Sequence, residues 1–290
     1  MSRVDLHWNP KDRRLDISRA LSAGDIDPEK AVNRQPANLT ICAPVADLRP
    51  RPDPSVSLDA QLLYGDRVER FAEKEGWACI RCLGDGYVGW TAVSALAEPG
   101  EPASHIVTAA RSFAYPGPDL KHPALRTFSM GSRIRVTEEA ETRKTPYVRI
   151  ETGEWLVARH VGPIDKPHSD YVSIAEGLLA TPYLWGGGSG FGLDCSGLIQ
   201  LAMRMCGLTI LRDSDMQALT VGRAIEPGPG HSHLQRGDLV FWNGHVAICA
   251  GQNRLVHANG SSMDVRIEAL DQALARIARA FAEPICFRRP

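Results

Sequence analysis

The hydrophobic positions of the chain follow two different patterns. Between residues 37 and 161, short apolar runs recur about every ten residues and are separated by Gly, Pro and Asp, which is typical of small all-β domains. Beyond residue 168, an apolar segment with helical spacing follows Cys195, and three β-rich runs follow Gly237. The pattern therefore predicts β-rich N-terminal domains and a C-terminal domain that mixes helices with antiparallel strands.

Proline-rich and glycine-rich stretches suggest where these domains begin and end. A polar lead-in contains one recognisable helix start, in which Asp27 caps a helix that begins at Pro28. Two stretches rich in proline, 98–102 and 162–167, are predicted linkers. The predicted segments are a lead-in at 1–36, a first barrel at 37–100, a second barrel at 104–161 and a domain of helices and antiparallel strands at 168–290.

The second barrel is predicted from a loose internal repeat. The segment 130–136 is similar to 64–68, since both place a glycine before a short β-rich run. The segment 153–158 is similar to the strand that begins at Trp77. Repeated units of this kind indicate duplicated small domains. We therefore expect two all-β barrels of similar size.

The composition of the chain excludes some classes of function but does not identify one. The 290 residues are 43% hydrophobic and 23% charged, which is ordinary for globular proteins. A net charge of −1 gives no basic surface for nucleic acid or for an anionic membrane. Seven cysteines, an odd number without a framework pattern, fit free thiols in a reducing compartment. With an N-terminus that lacks an apolar signal region, these features predict a cytoplasmic protein without nucleic-acid or membrane partners.

Cys195 is the residue with the strongest chemical signal. A glycine-rich loop leads into Asp194-Cys195-Ser196-Gly197, and the apolar helix-period segment follows directly. This order places a thiol in the first turn of a helix, where free N–H groups and the helix dipole favour an anion. Because the thiolate is the reactive form of cysteine, we expect Cys195 to be a nucleophile that forms an ion pair with a base.

His245 and His257 are the candidate partners of this thiol. Each lies in a predicted strand, and a connecting loop centred on Gly251 would place the two imidazoles directly opposite each other. His245 then acts as general base and acid, and His257 orients it. Asn259 is an alternative for the orienting role, because it shares the face of His257 if the strand continues.

The segment from about residue 170 to 290 resembles the NlpC-type, papain-like cysteine peptidases of bacterial cell-wall metabolism. The resemblance is carried by six elements in the expected order: Thr181-Pro-Tyr183-Leu-Trp-Gly-Gly, Asp194-Cys195-Ser196-Gly197, Arg212-Asp-Ser214-Asp-Met-Gln217, Gly237-Asp-Leu-Val-Phe241, Gly244-His245-Val246 and Val256-His257-Ala258. It implies an α+β papain-like domain, an antiparallel sheet packed with helices, and a Cys-His-polar triad.

The family resemblance also implies residues that bind substrate. It places the Tyr183 hydroxyl beside the nucleophile, where it helps the Cys195 N–H to hold an oxyanion. It suggests that Asp194 and Ser196 contact polar groups of the substrate, although both are also good helix caps. Ser214 is a further candidate contact in a segment that also reads as an ordinary helix start.

The first barrel resembles a bacterial SH3-like domain, with Gly86-Tyr87-Val-Gly-Trp90 as its best signature. In related enzymes with such a barrel, an acidic residue after Tyr-Gly and the tyrosine of this signature bind the free amine of an N-terminal L-alanine. These positions are Asp66 and Tyr87. Asp66 stands where glutamate is usual, so its reach is one methylene shorter.

The resemblance implies hydrolysis of the γ-D-glutamyl–diamino acid bond of peptidoglycan stem peptides. A cytoplasmic enzyme would meet free L-Ala-γ-D-Glu-diamino acid fragments, so murein recycling is the expected role. No cofactor or metal is expected, because Cys79 and Cys82 share one strand and have no second pair. The alternatives are an acyltransferase or amidase acting on another γ-glutamyl or acyl substrate, and a catalytically silent protein that binds wall peptides.

Overall fold

The computed structural model describes residues 12, 14–32, 35–280 and 282–290. These residues form two compact units. One contains the described residues up to Pro167 together with Ser189–Phe191, and the other contains His168–Gly188 and Gly192–Pro290. No helix in the described ranges is long and apolar enough to span a membrane.

Two short helices open the described chain, α1 (Ile17–Ala23) and α2 (Pro28–Val32). The predicted start of α2 is confirmed, since Asp27 Oδ1 accepts a hydrogen bond from the Glu29 N–H at 3.1 Å. Helix α1 packs against the barrel that follows, where the indole N–H of buried Trp90 donates to the Ala20 carbonyl at 2.7 Å. Residues 1–11, 13, 33 and 34 of the predicted lead-in lie outside the described residues.

The first set of strands forms a five-stranded antiparallel sheet, in the order β6-β5-β4-β1-β7, and a two-stranded sheet of β2 and β3. The strands are β1 (Ala37–Ile41), β2 (Val45–Leu48), β3 (Ala60–Leu63), β4 (Arg67–Lys74), β5 (Trp77–Cys82), β6 (Val88–Ala92) and β7 (Leu96–Ala97). Strand β5 begins at Trp77, as predicted, and a turn around Asp85 joins it to β6. This region is all-β, as expected for an SH3-like domain.

The second set of strands forms three small sheets, ordered β10-β9, β11-β8-β15 and β12-β13-β14. The strands are β8 (His105–Val107), β9 (Arg111–Ala114), β10 (Arg126–Ser129), β11 (Arg133–Ile134), β12 (Val136–Thr142), β13 (Thr145–Ile150), β14 (Trp155–Val157) and β15 (Val161–Pro163). Tyr64 from the first set enters their core and meets Phe128 edge-on at 5.1 Å. The two sets therefore share apolar packing, and the boundary predicted between two barrels stays a prediction.

The C-terminal unit is built on a six-stranded antiparallel sheet in the order β18-β23-β19-β20-β21-β22. The elements that follow β15 are α3 (Tyr171–Glu176), β16 (Gly188–Ser189), β17 (Gly192–Leu193), α4 (Cys195–Met205), α5 (Ser214–Thr220), β18 (Arg223–Ala224), β19 (Leu239–Trp242), β20 (His245–Gly251), β21 (Arg254–Asn259), β22 (Asp264–Ala269), α6 (Leu270–Ala280) and β23 (Cys286–Arg289).

Helices cover both faces of this sheet. On one face, Ala247 and Leu255 pack with Leu274 and Ile277 of α6. The alternate residues of the central strands are also fully buried, and α4 packs against β20 and β21. Because successive residues of a strand face opposite sides, this double burial explains why β19 to β21 are continuous apolar runs. The arrangement brings the first turn of α4 to the start of β20.

Candidate active site

Cys195 is the first residue of α4, as the sequence predicted. Asp194 is its N-cap, and one carboxylate oxygen accepts from the Gly197 N–H at 2.7 Å. The thiol is buried, with Cys195 7% exposed, and its Sγ lies 3.9 Å from the Gly244 carbonyl oxygen. The Val246 N–H also contacts the sulfur. The thiol therefore lies against the backbone on either side of His245.

A buried ion pair anchors the segment that carries Cys195. Arg212 is 1% exposed, and its two terminal nitrogens donate to the two oxygens of Asp194 at 3.0 and 2.7 Å. The Gly186 N–H and the Ser196 hydroxyl also donate to that carboxylate, at 3.0 and 3.3 Å. Such a bidentate pair holds its geometry firmly. The Asp194 carboxylate thus fixes both the glycine-rich loop and the start of α4.

Ser196 and Ser214 are both buried near this anchor. The Ser196 hydroxyl accepts from Arg212 at 2.9 Å, and the Ser196 carbonyl accepts from the Gln217 side-chain amide at 3.1 Å. Ser214 is the first residue of α5 and is 8% exposed. The helix start read from this segment is confirmed, and the capping role of Asp194 is confirmed as well. Substrate contacts of Asp194, Ser196 and Ser214 stay predictions.

His245 and His257 are joined by a hydrogen bond. His245 Nε2 and His257 Nδ1 lie 3.0 Å apart, and their ring centres are 5.2 Å apart. The predicted register is wrong in detail. Ile248 pairs with Val256, and continuing this register would place Ala247, rather than His245, opposite His257 and His245 diagonal to it. A bulge near Gly251 shifts the turn from the predicted centre, and diagonal neighbours remain within reach of long side chains.

The second nitrogen of His257 faces two polar side chains. The Asn259 amide nitrogen lies 3.2 Å from His257 Nε2, and the nearer carboxylate oxygen of Glu268 lies 3.5 Å from it. Glu268 also accepts from Arg276 at 2.6 Å. Of the two orienting residues considered from the sequence, His257 is the one that contacts His245, and Asn259 contacts His257 in turn.

Burial controls the charge of the thiol and of the imidazole. It raises the pKa of Cys195 to about 12, with the Asp194 carboxylate acting in the same direction, while the Val246 N–H and Arg212 act against it. Burial also lowers the pKa of His245 to about 3, and His257 adds to this effect. A helix N-terminus supplies about 0.3–1 kcal/mol, whereas one pKa unit corresponds to about 1.4 kcal/mol. Burial thus disfavours both the thiolate and the imidazolium, and the ion pair expected between Cys195 and His245 stays a prediction.

Tyr183 lies beside the segment that leads to Cys195. Its N–H donates to the Met263 carbonyl at 2.9 Å, and it forms a β-bridge with Leu193. Burial and the nearby Cys195 and Asp194 raise the pKa of its hydroxyl. The hydroxyl therefore stays protonated and able to donate. Its role in holding an oxyanion stays a prediction.

Asp66 and Tyr87 belong to the N-terminal unit. Asp66 is 5% exposed, and one of its carboxylate oxygens accepts from the Leu63 N–H at 2.8 Å, while Arg133 lies 3.7 Å from the other oxygen. Tyr87 is buried, with 4% exposure. The contacts of Asp66 thus stabilise its own turn, and binding of a substrate amine by either residue stays a prediction.

Two residues that the sequence had not singled out hold these polar networks together. Arg212 belongs to a recognised motif, and its position after the apolar pair Ile210-Leu211 is a signal of burial. Glu268 has no comparable signal, because its proximity to His257 depends on the pairing of β21 with β22. Among the described residues, no three His, Cys, Asp or Glu side chains are grouped so that they could hold a metal ion.

Comparison with known proteins agrees with this architecture. The profile of the NlpC/P60 family matches residues 180–278, and that of the bacterial dipeptidyl-peptidase Sh3 domain matches residues 48–96. A crystal structure of an NlpC/P60 family protein from Bacillus cereus has a TM-score of 0.72 at 24% identity, over 87% of this chain and 99% of that one. This likeness establishes the papain-like fold with an SH3-like domain before it.

Two curated relatives extend over most of the chain. Dipeptidyl-peptidase 6 of Lysinibacillus sphaericus is 29% identical over 260 residues, which cover 81% of this chain and 92% of the relative. Gamma-D-glutamyl-L-lysine dipeptidyl-peptidase of Bacillus cereus is 28% identical over 242 residues, which cover 74% of this chain and 71% of the relative. Residues 180–278 are therefore an NlpC/P60 domain, and the chain is similar to these two peptidases over most of its length.

Proposed function

We propose that this peptidase hydrolyses the γ-D-glutamyl–diamino acid bond of peptidoglycan stem peptides. Its substrates would be free fragments that begin with L-Ala, L-Ala-γ-D-Glu-diamino acid, met in the cytoplasm during murein recycling. The names of the two relatives support this bond type, since one is a dipeptidyl-peptidase and the other a gamma-D-glutamyl-L-lysine dipeptidyl-peptidase. A dipeptidyl-peptidase releases two residues from an N-terminus, which fits fragments of this kind.

The observation that carries the proposal is the arrangement around Cys195. Its thiol begins α4 and lies against the backbone of residues 244 and 246, while the His245 ring between them is hydrogen-bonded to His257. Because Nε2 of His245 is occupied by His257, the nitrogen left for the thiol is Nδ1. A nucleophile, a base and an orienting group thus occur in sequence, which is the requirement for acyl transfer through a covalent intermediate.

The proposed reaction has two steps. In the first, the Cys195 sulfur attacks the γ-carbonyl carbon of the D-glutamyl residue as His245 Nδ1 takes the thiol proton. The Cys195 N–H and the Tyr183 hydroxyl stabilise the oxyanion. His245 then gives its proton to the departing α-amine of the diamino acid, and the C–N bond breaks to leave a thioester.

The second step returns the enzyme to its starting state. Water attacks the thioester carbonyl as His245 accepts one of its protons, the C–S bond breaks, and the proton returns to the sulfur. The products are L-Ala-D-Glu and the free diamino acid. Because burial disfavours a charged thiol and a charged imidazole, the donors around the oxyanion must offset the cost of separating charge during attack.

The direct test is hydrolysis of synthetic L-Ala-γ-D-Glu-L-Lys and L-Ala-γ-D-Glu-meso-diaminopimelate, followed by mass spectrometry. The wild type should release L-Ala-D-Glu from at least one peptide, and Cys195→Ala should abolish release while it retains the thermal unfolding midpoint. Cys206→Ala is the matched control, because it removes a half-buried thiol from the other end of α4. Turnover by Cys195→Ala, or no release of L-Ala-D-Glu by the wild type, would overturn the proposal.

A further inference from the structure

The side-chain amide of Asn259 has a fixed orientation. Its oxygen accepts from the Ser261 and Ser262 N–H groups, each at 3.0 Å. The amide nitrogen therefore faces His257 Nε2, at 3.2 Å. An amide NH₂ only donates hydrogen bonds. Asn259 alone would keep Nε2 of His257 free of a proton.

Glu268 has the opposite preference at the same ring nitrogen. One of its carboxylate oxygens lies 3.5 Å from His257 Nε2 and accepts from Arg276 at 2.6 Å. Contacts with His257 and Arg276 lower the pKa of Glu268 to about 2, so its carboxylate only accepts. The 3.5 Å separation is long, but catalytic hydrogen bonds in structures without substrate are often long and shorten in the complex.

These two preferences lead to different protonation of the base. If His257 Nε2 accepts from Asn259, the proton of His257 is on Nδ1 and is donated to His245 Nε2, so the proton of His245 is on Nδ1. If His257 Nε2 carries a proton for Glu268, its Nδ1 accepts from the Nε2–H of His245. Only the second arrangement leaves His245 Nδ1 free to take the thiol proton.

The relative strengths of the two contacts favour the second arrangement. A hydrogen bond to a charged group is roughly twice as strong as one between two neutral groups. His257 is fully buried, where charge-assisted contacts are less screened. The other charged groups on this face are Arg266, opposite His257 in the register, and Asp264, which pairs with Arg266 at 2.9 Å. Arg266 and Asp264 form an ion pair with each other, so Glu268 is the carboxylate that contacts His257 Nε2.

We propose that Glu268, held by Arg276, is a positioning residue that keeps the proton of His257 on Nε2 and thereby leaves Nδ1 of His245 as the base nitrogen. The inference deepens the proposed function and its catalytic role rests on that function. Once His245 becomes an imidazolium during attack, the same carboxylate stabilises its charge through His257. The chain of contacts then runs from His245 through His257 to Glu268 and Arg276.

The first test reads the tautomers directly and needs no substrate. Long-range ¹H–¹⁵N correlation spectra of ¹⁵N-histidine-labelled protein distinguish a protonated from an unprotonated ring nitrogen. The chain has nine histidines, so His245→Gln and His257→Gln variants assign the two signals. In the wild type, both rings should carry their proton on Nε2. A wild-type His257 protonated on Nδ1 would overturn the inference, whatever substrate the enzyme cleaves.

The second test is Glu268→Gln. Arg276 would hold the new amide oxygen, so the amide nitrogen would face His257 Nε2 and both rings should shift their protons to Nδ1. We expect kcat to fall about 10–100-fold, as for other residues that orient a catalytic group, while KM changes less than about twofold. Glu268→Asp should restore part of the rate, since it keeps an acceptor.

The matched control is Glu176→Gln, which breaks an exposed ion pair with Arg236 and should leave both the spectrum and kcat unchanged. Unchanged tautomers in Glu268→Gln would overturn the inference. An equal loss of kcat in Glu268→Asp and Glu268→Gln would also overturn it, because a merely structural role predicts that result. Failure of the proposed function alone would appear as correct tautomers in a protein that cleaves no stem peptide.

Discussion

The two polar networks that meet at Cys195 differ in the freedom of their protons. On one side, the Asp194 carboxylate accepts from Gly186, Ser196, Gly197 and Arg212. Each of these groups holds its proton at any pH at which the protein folds. On the other side, His245 and His257 can exchange donor and acceptor roles, because each ring has two nitrogens. The donor and acceptor roles are therefore fixed in the network of Asp194, whereas they can be reversed in the network of the two histidines.

This difference separates what holds the nucleophile from what activates it. The anchor between Asp194 and Arg212 determines where the thiol lies, since it joins the glycine-rich loop to the first turn of α4. The histidine network determines whether the thiol can lose its proton. We therefore expect changes in the anchor to affect the free energy of unfolding first, and changes in the histidine network to affect kcat first.

Asp194→Asn should have the largest effect. The new amide would leave the buried guanidinium of Arg212 without its anion and would place N–H donors against N–H donors. Breaking one partner of a buried pair costs about 3–5 kcal/mol, which denaturant unfolding would measure. Asp25→Asn is the control, because it breaks an exposed ion pair with Lys74 and should cost about 1 kcal/mol or less. Equal losses in the two variants would show that the anchor contributes no special stability.

His257→Gln should mainly reduce the rate. Without the second imidazole, His245 loses the group that fixes its ring and its tautomer, and general acid–base catalysis contributes about 10²–10⁴-fold. We expect kcat to fall within that range while KM changes little, measured with the tripeptide that the wild type cleaves. The free energy of unfolding should fall less than in Asp194→Asn. A variant with nearly normal kcat would assign the orienting role elsewhere.

The pH dependence of kcat/KM should give the smallest but a distinctive effect. His245 acts as a base only in its neutral form, and its pKa lies below the ordinary value of 6.5. A lowered pKa keeps the neutral form populated as the pH falls through 6.5. Activity should therefore remain flat from pH 7 to about pH 5.5 and decline only at lower pH. An acid limb centred at pH 6.5 or above would contradict the lowered pKa of His245.

The sequence predicted most of the site because its signals are local. The helix start at Cys195, the Asp194 cap and the two histidines each depend on a few neighbouring residues. The details that failed depend on pairing over longer distances. A single bulge near Gly251 changed which residue faces His257, and that bulge has no clear mark in the sequence.

Other features needed the folded structure because partners far apart in sequence create them. Glu268 reaches His257 through the pairing of β21 with β22, and Arg276 reaches Glu268 from α6. In the N-terminal unit, the indole of Trp90 meets the Ala20 carbonyl across 70 positions. The burial of Cys195, which disfavours the thiolate, could not be read from the sequence either.

The most direct test of the central claim is to find which sulfur carries the acyl group. The enzyme would be mixed with the tripeptide that it cleaves and quenched in acid within milliseconds. It would then be digested, and the acylated peptide would be identified by mass spectrometry. We predict an L-Ala-γ-D-Glu thioester on the peptide that contains Cys195, and none in a His245→Gln variant treated in the same way. Product formation with the acyl group on another of the seven cysteines, or with Cys195 blocked by prior alkylation, would contradict the account.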